Sequence, residues 1–222
     1  LINNFLGSTT ASVGNLISEG DREKSLKIYW ELTALSFYIA GICAISLYYL
    51  LPPFIALWLG PEYIMSDAIL ILLIISFCLS LIRTSTSQFK YGFGLFADVW
   101  SPVAESAILL LVSITCGKIW GLEGVLLGGI VSIFLVICGW QAYYLFTRGF
   151  KKSVFSYVFY FSLNVLTLLG SMYLSSFVID RLIVGGNHIS WGSWIMNALK
   201  IVSIQSMRTF VIRLIKLLPH NK

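Results

Sequence analysis

The sequence has little charge. Asp, Glu, Lys and Arg make up 11% of its 222 residues, whereas a typical soluble domain has about 25%. Hydrophobic residues make up 58% of the chain, and the mean hydropathy is +0.87. The few charges lie in short segments between long apolar windows. The scarcity of charge therefore excludes an ordinary soluble domain and indicates an integral membrane protein.

The sequence also lacks the spacings of metal and catalytic sites. The cysteines occur singly in apolar windows, without CxxC spacing or a nearby His; they are Cys43, Cys78, Cys116 and Cys138. The two histidines, His188 and His220, are far apart and have no neighbouring pattern of acids or nucleophiles. Gly92, Gly94 and Ala97 have GxGxxA spacing, but no strand is predicted before them. We therefore expect inert thiols, no metal site, no cofactor and no enzyme activity.

Apolar windows that are long enough to cross a membrane recur along the chain. A helix needs about 20 mostly apolar residues to cross roughly 30 Å of hydrocarbon. Five windows meet this requirement, namely residues 33–51, 67–90, 98–117, 124–147 and 153–179. The first is expected to stop at Pro52 and Pro53, which cannot continue the hydrogen-bond ladder. Pro102 is tolerated in the third because it falls in the first turns of the helix.

The two ends of the chain are less regular. Leu1 starts in mid-pattern without an initiator Met, and residues 1–17 suit the end of a preceding helix, so we expect a fragment of a longer chain. A sixth span from residue 189 is interrupted by polar and basic residues, namely Lys200, Gln205, Arg208, Arg213 and Lys216. Residues 189–222 are expected either to form a last span or to lie in the interface as a basic amphipathic tail.

The basic residues between the spans predict the orientation. If the spans alternate, most of these residues fall on one side; they are Arg22, Lys24, Lys27, Lys90, Arg148, Lys151 and Lys152. The other side holds Lys118 and Arg181. Because cytoplasmic loops carry an excess of Lys and Arg, the first side is expected to be cytoplasmic and residues 52–66 to face outward. Aromatic residues fall at the expected outer boundaries, namely Trp58, Tyr63, Trp120, Trp191 and Trp194.

A polar stripe runs along the second span. It contains Ser76, Ser80, Arg83, Ser87 and Lys90, whose spacing of three and four residues places them on one helical face. Arg83 lies about 24 Å from the start of this span, in the inner part of the bilayer. Arg83 either reaches toward the inner-leaflet phosphates while the serines allow close packing, or it lines a cavity for an anionic substrate.

Acidic residues mark the beginning of the third span. Asp98, Ser101 and Glu105 share one face near its cytoplasmic end. Glu105 is the most informative of them because it lies inside the span. Two roles are open for this carboxylate: it couples transport to a proton or Na⁺, or it neutralises a basic neighbour such as Arg83.

Two further patterns concern contacts between helices. The fifth span carries uncharged polar residues along one face, namely Tyr157, Tyr160, Asn164, Thr167 and Ser171. They suit either sugar contacts or interhelical hydrogen bonds. Small residues four apart flank the turn between the third and fourth spans, as Gly117 with Gly121 and Gly124 with Gly128. These pairs predict a close approach of the two helix backbones.

Several longer segments carry a family resemblance. They are ASVGNLISEGDREKSLKIYWEL at 11–32, LLPPFIALWLGPEY at 50–63, YGFGLFADVWSPVAESAILLLVS at 91–113, KIWGLEGVLLGGIVS at 118–132 and YYLFTRGFKKS at 143–153. In order and spacing this part of the chain resembles the C-terminal half of Wzx-type flippases. These are polysaccharide biosynthesis exporters in the superfamily that also contains lipid II flippases and MATE drug exporters.

The resemblance implies an all-α polytopic membrane helical bundle with about six transmembrane helices. This single membrane domain, residues 1–222, would be one lobe of a two-lobed alternating-access transporter whose N-terminal half is missing. It would sit in the bacterial cytoplasmic membrane, among membrane lipids, and move polyprenyl-pyrophosphate-linked oligosaccharide for lipopolysaccharide or capsule synthesis. The expected substrate contacts are Arg83, Ser87, Lys90 and Asn164, and the expected residues for a coupling H⁺ or Na⁺ are Glu105 and Asp98. No nucleic acid is expected as a partner.

Alternative functions remain open at this stage. A MATE-like multidrug or cation antiporter would need a cavity dominated by acids, whereas the second span carries a cation on its polar face. A membrane-embedded glycan polymerase or ligase would need a large outer loop that carries reactive residues, and the longest expected outer loop is short and mostly apolar. The chain could also be a remnant that no longer transports.

Overall fold

The computed structural model describes residues 10–183 and 190–201, and this part of the chain is helical without a strand. The helices are α1 (Thr10–Ser18), α2 (Arg22–Trp58), α3 (Asp67–Gly92), α4 (Trp100–Trp120), α5 (Leu122–Phe150), α6 (Val154–Ile183) and α7 (residues 191–201). A short 3₁₀ turn, Pro61–Tyr63, follows α2. Helices α2 to α6 are long and apolar enough to cross a membrane. The expectation of an all-α, multi-pass membrane protein is therefore confirmed.

Helix α2 continues through Pro52 and Pro53, so the prediction that the first span stops there is wrong. A proline cannot donate to the carbonyl four residues earlier, but membrane helices tolerate it where other groups satisfy the nearby backbone. The Trp194 indole Nε1 donates to the Leu50 carbonyl, in the turn before the prolines, at 3.0 Å. The missing proline donors belong to the carbonyls of Tyr48 and Tyr49, so this contact anchors the neighbouring turn and does not replace a bond lost at the prolines.

Helix α3 begins at the predicted residue and ends two residues after the predicted end. It begins after Ser66, whose hydroxyl accepts a hydrogen bond from the Ile69 amide at 3.3 Å, and it ends at Gly92. The chain then turns at Gly94, which has a positive φ of 67°. Helix α4 begins at Trp100, two residues later than predicted, with Pro102 in its first turn as expected. The predicted second and third spans are therefore consecutive helices joined by a short connection.

The backbones of α4 and α5 approach each other closely, as the glycine spacing predicted. A Cβ atom on Gly124 would overlap the Cys116 carbonyl, and one on Gly128 would overlap Ser113. The turn between the helices is made by Gly121, whose φ of 60° favours glycine. Small residues therefore hold α4 and α5 together as a tight hairpin.

Helix α5 contains two π-helical segments, Ile133–Gln141 and Leu145–Phe150. π-Helical turns are rare and usually occur as single turns inside α-helices. Their wider turns change which side chains face the neighbouring helices, so the α-helical period used for the sequence analysis does not apply here. The helix ends where Lys151 adopts the left-handed conformation, with φ 54° and ψ 42°.

The chain divides into two compact units. The first comprises Leu1–Ala40 and Ser66–Leu168, and the second comprises Gly41–Met65 and Leu169–Lys222. Aromatic rings form the core of the first unit: Tyr29 lies in edge contact with Phe89 and Phe146, at centroid distances of 5.4 and 5.6 Å. The second unit has a smaller core, made of Ile45, Ile179 and Ile201.

The outer surfaces are apolar, as a lipid environment requires. None of the most apolar window of α4 is buried within the protein. Of the aromatic residues expected at outer boundaries, Trp58, Tyr63, Trp120 and Trp191 are exposed, whereas Trp194 is half-buried. The predicted sixth span begins in α7, but its continuation after residue 201, with Gln205, Arg208, Arg213 and Lys216, lies outside the described residues. His188 and His220 also lie outside them.

Candidate functional site

One member of the polar stripe of α3, Arg83, reaches the beginning of α4 and forms an ion pair there. Arg83 Nη1 donates to Glu105 Oε1 at 3.3 Å. The Arg83 side chain is 40% exposed and the Glu105 side chain 22% exposed. Of the two roles considered for Glu105, the structure shows the ion pair with Arg83. The coupling role stays a prediction.

A second ion pair joins the end of α3 to the connection that precedes α4. Lys90 Nζ lies 2.9 Å from both carboxylate oxygens of Asp98, and the two side chains are 4% and 3% exposed. A charge pair this deeply buried has lost almost all of its hydration, so each partner depends on the other. The Lys90 ammonium is therefore paired with Asp98 in this structure and is not exposed to a ligand.

The two ion pairs share one register. Arg83 and Lys90 are seven residues apart on α3, and Asp98 and Glu105 are seven residues apart around the start of α4. Seven residues correspond to two helical turns, about 10 Å, so Arg83 and Lys90 lie on one face of α3. Asp98 precedes α4 and Glu105 lies in its second turn, so the two ion pairs link α3 to the start of α4 at two levels, one buried and one half-exposed.

Helix α5 adds a polar contact that the sequence analysis did not anticipate. Gln141 Nε2 donates to the Ser101 hydroxyl at 3.1 Å, and Ser101 is fully buried. Gln141 Oε1 is buried and has no hydrogen-bond partner in the part of the chain that the structure describes. A buried amide in an apolar helix is uncommon and normally has partners. In the sequence, a single glutamine inside an apolar span was the signal that could have indicated this contact.

Hydroxyl groups connect α3 to α2 on its other side. Ser36 and Ser85 hydroxyls lie 3.2 Å apart, and so do the hydroxyls of Tyr29 and Thr86. Ser36, Ser85 and Thr86 are buried, and the sequence analysis did not assign them. Hydroxyl pairs of this kind hold membrane helices together. Helix α3 is therefore fixed by hydroxyls against α2 and by ion pairs toward α4.

The other predicted substrate contacts are less closely connected. Ser87 lies half-buried on α3. Asn164, on α6, donates from Nδ2 to the Tyr160 carbonyl of its own helix at 2.8 Å. Within the described residues, no hydrogen bond joins Asn164 to Arg83 or Lys90. The structure therefore brings together Arg83, Lys90, Asp98 and Glu105, and it leaves the role of Asn164 a prediction.

The cysteines lie within the helices of the described part of the chain. Cys78 is buried and donates from Sγ to the Ala40 carbonyl at 3.6 Å, whereas Cys43, Cys116 and Cys138 are half-buried. None of the four forms a disulfide in this part of the chain. Among the described residues, no group of three or more His, Cys, Asp or Glu side chains is arranged to hold a metal ion.

Comparisons with models of known protein families, with characterised proteins and with solved structures find no match to this chain. Its classification therefore rests on its own residues. Five long apolar helices, without a strand among the described residues, describe a multi-pass, all-α membrane protein.

Proposed function

We propose that the chain is part of a flippase that moves polyprenyl-pyrophosphate-linked oligosaccharide across the bacterial cytoplasmic membrane. The observation that carries the proposal is the position of Arg83, a half-exposed cation inside an apolar span. Charged groups inside spans are costly and usually mark the path of a substrate or ion. The resemblance of residues 11–153 to Wzx-type flippases supports the same function.

Arg83 has the chemistry that an anionic headgroup needs. A guanidinium has five N–H donors in a planar fork, which suits phosphate oxygens. Its contact with Glu105 uses Nη1 alone, at a long 3.3 Å. Lys90 differs, because its buried pair with Asp98 would have to open before it could contact a substrate. We therefore assign the first contact with pyrophosphate to Arg83.

Glu105 suits a proton-coupled cycle. If its carboxylate takes up a proton, it no longer holds Arg83 as an ion pair, and the guanidinium becomes available to pyrophosphate. Return of the proton to solution would restore the pair and favour release of the headgroup. The lipid tail would stay in the bilayer while the headgroup crosses, so no covalent step is needed. In this scheme the coupling ion is H⁺, and Glu105 performs both of the roles considered for it.

The test is transport by the full-length protein in vesicles, measured with a fluorescent polyprenyl-pyrophosphate-linked oligosaccharide. Arg83→Ala is expected to slow translocation at least tenfold, and Arg83→Lys to retain part of it, because one charge remains. Glu105→Gln is expected to remove the dependence on a pH gradient. Lys118→Ala is the matched control, since Lys118 is an exposed cation near the other end of α4.

Three results would contradict the proposal. The first is wild-type translocation by Arg83→Ala at equal protein levels. The second is an equal loss in Lys118→Ala, which would indicate a general charge effect. The third is transport of tetraphenylphosphonium, an organic cation, in place of the pyrophosphate-linked lipid, which would favour a cation antiporter.

A further inference from the structure

The end of α5 and the connection to α6 are basic and have no acids near them in the sequence. Arg148 lies at the end of α5, Lys151 and Lys152 lie in the connection, and no Asp or Glu occurs between Glu123 and Asp180. The segment around the start of α2 is different, because its cations alternate with acids and Lys24 pairs with Glu19 at 2.7 Å. Arg148, Lys151 and Lys152 are therefore a positive patch of a kind that the start of α2 does not form.

Two of the three cations at this connection have no carboxylate partner. Lys152 forms an ion pair with Glu23 of α2. Arg148 and Lys151 are exposed, and neither has an ion-pair partner within the described residues. Their charges are therefore available to a ligand.

The backbone that carries Arg148 and Lys151 is held in place by hydrogen bonds and by a buried aromatic ring. Lys151 has the left-handed conformation, and the amides of Lys151 and Lys152 both donate to the Phe146 carbonyl. Phe150 is 2% exposed and contacts the Phe93 ring at a centroid distance of 5.2 Å. Arg148 and Lys151 thus extend from a turn that is fixed by the aromatic core.

An exposed apolar face begins next to the patch. Phe155, Val158 and Phe159 lie on one face of α6, because they are three and four residues apart. Their exposed fractions are 76%, 52% and 58%. Helix α6 is long and apolar enough to cross the membrane, so this face contacts the acyl chains that lie below the headgroups.

We propose that Arg148 and Lys151, together with Phe155 and Phe159, bind an anionic phospholipid of the leaflet on the basic side. The two cations contact the phosphate headgroup, and the two rings contact its acyl chains. The adjoining acyl-chain surface favours a lipid over a soluble anion, because a soluble anion would use the cations alone. Basic residues beside membrane helices bind anionic lipids in this manner. This site does not depend on what the protein transports.

The experiment measures lipid selectivity with the purified full-length protein in phosphatidylcholine vesicles. Spin-labelled phosphatidylglycerol or spin-labelled phosphatidylcholine is added, and the protein-bound fraction of each is measured by electron paramagnetic resonance. We expect the wild type to prefer phosphatidylglycerol. Removing one juxtamembrane charge weakens such binding about fivefold, so Arg148→Gln/Lys151→Gln should lose most of the preference.

Matched variants distinguish the site from a general charge effect. Lys152→Gln is expected to keep most of the preference because Lys152 already pairs with Glu23, and Lys118→Gln is expected to keep all of it. Phe155→Ser/Phe159→Ser should weaken lipid binding while the cations remain. Arg148→Lys/Lys151→Arg should preserve the preference, which shows that the turn still folds.

The proposal is overturned by any of three outcomes. The double glutamine variant could keep the wild-type preference while its helix content by circular dichroism is unchanged. Lys118→Gln could lose as much preference as the double variant. Millimolar inorganic phosphate could displace phosphatidylglycerol while the Phe155→Ser/Phe159→Ser variant binds normally, in which case the patch binds a soluble anion.

Discussion

Lys90 Nζ lies 2.9 Å from both carboxylate oxygens of Asp98, and both side chains are almost completely buried. Replacing one partner leaves an uncompensated buried charge, so Lys90→Met or Asp98→Asn should lower the free energy of unfolding by about 3–5 kcal/mol. The double variant Lys90→Met/Asp98→Leu should recover most of this loss because neither charge remains. Chemical unfolding in detergent, followed by tryptophan fluorescence, measures these values.

Lys118→Met serves as the control for this series, since Lys118 is exposed and has no ion-pair partner among the described residues. It should change the free energy of unfolding by less than about 0.5 kcal/mol. If either single variant is as stable as the wild type, the pair does not hold α3 to the start of α4.

The contact between α4 and α5 predicts opposite effects at neighbouring glycines. Gly124→Ala and Gly128→Ala each place a Cβ atom against the backbone or side chain of α4. Such overpacking should destabilise the protein by about 1–3 kcal/mol. Gly129→Ala is the matched control because nothing lies within 4 Å of its added Cβ atom. It should be neutral or stabilising by up to about 1 kcal/mol, since Ala favours helix. Thermal unfolding of the three variants would show whether this order holds.

The orientation of the spans predicts which connections can be labelled from each side. In a cysteine-free background, a cysteine at Ser153 should react with a membrane-impermeant maleimide from the cytoplasmic side. A cysteine at Glu62 should react from the outer side. Both positions are exposed in the structure, so a lack of reaction reflects the side of the membrane rather than burial. Labelling of the Ser153 position in intact cells would contradict the orientation.

The apolar helices were predictable from the sequence because each satisfies its backbone hydrogen bonds internally and needs only length and apolarity to span lipid. The close approach of α4 and α5 was predictable for a similar local reason, since small residues four apart leave a groove. The continuation of α2 past Pro52 was not predictable in the same way. A proline ends most helices, but a membrane helix can contain prolines in its interior, as α2 does at Pro52 and Pro53.

The candidate site was predictable in part. Helical spacing placed Arg83 and Lys90 on one face, and Asp98 and Glu105 on another. The sequence could not assign the partners, because pairing depends on how α3 and α4 are aligned. Arg83 with Glu105 was considered, whereas the burial of Lys90 by Asp98 was not foreseen. The contact of Gln141 with Ser101 was not predicted, because the sequence does not show which side chains of α5 lie against Ser101.

The hairpin of α4 and α5 also limits how the protein can change shape. Where Gly124 meets the Cys116 carbonyl, the two backbones have no room to slide or roll past one another. These two helices are therefore expected to move together as one rigid body, without a hinge at Gly121. If this hairpin moves relative to α3, the Arg83–Glu105 contact has to break and re-form with it.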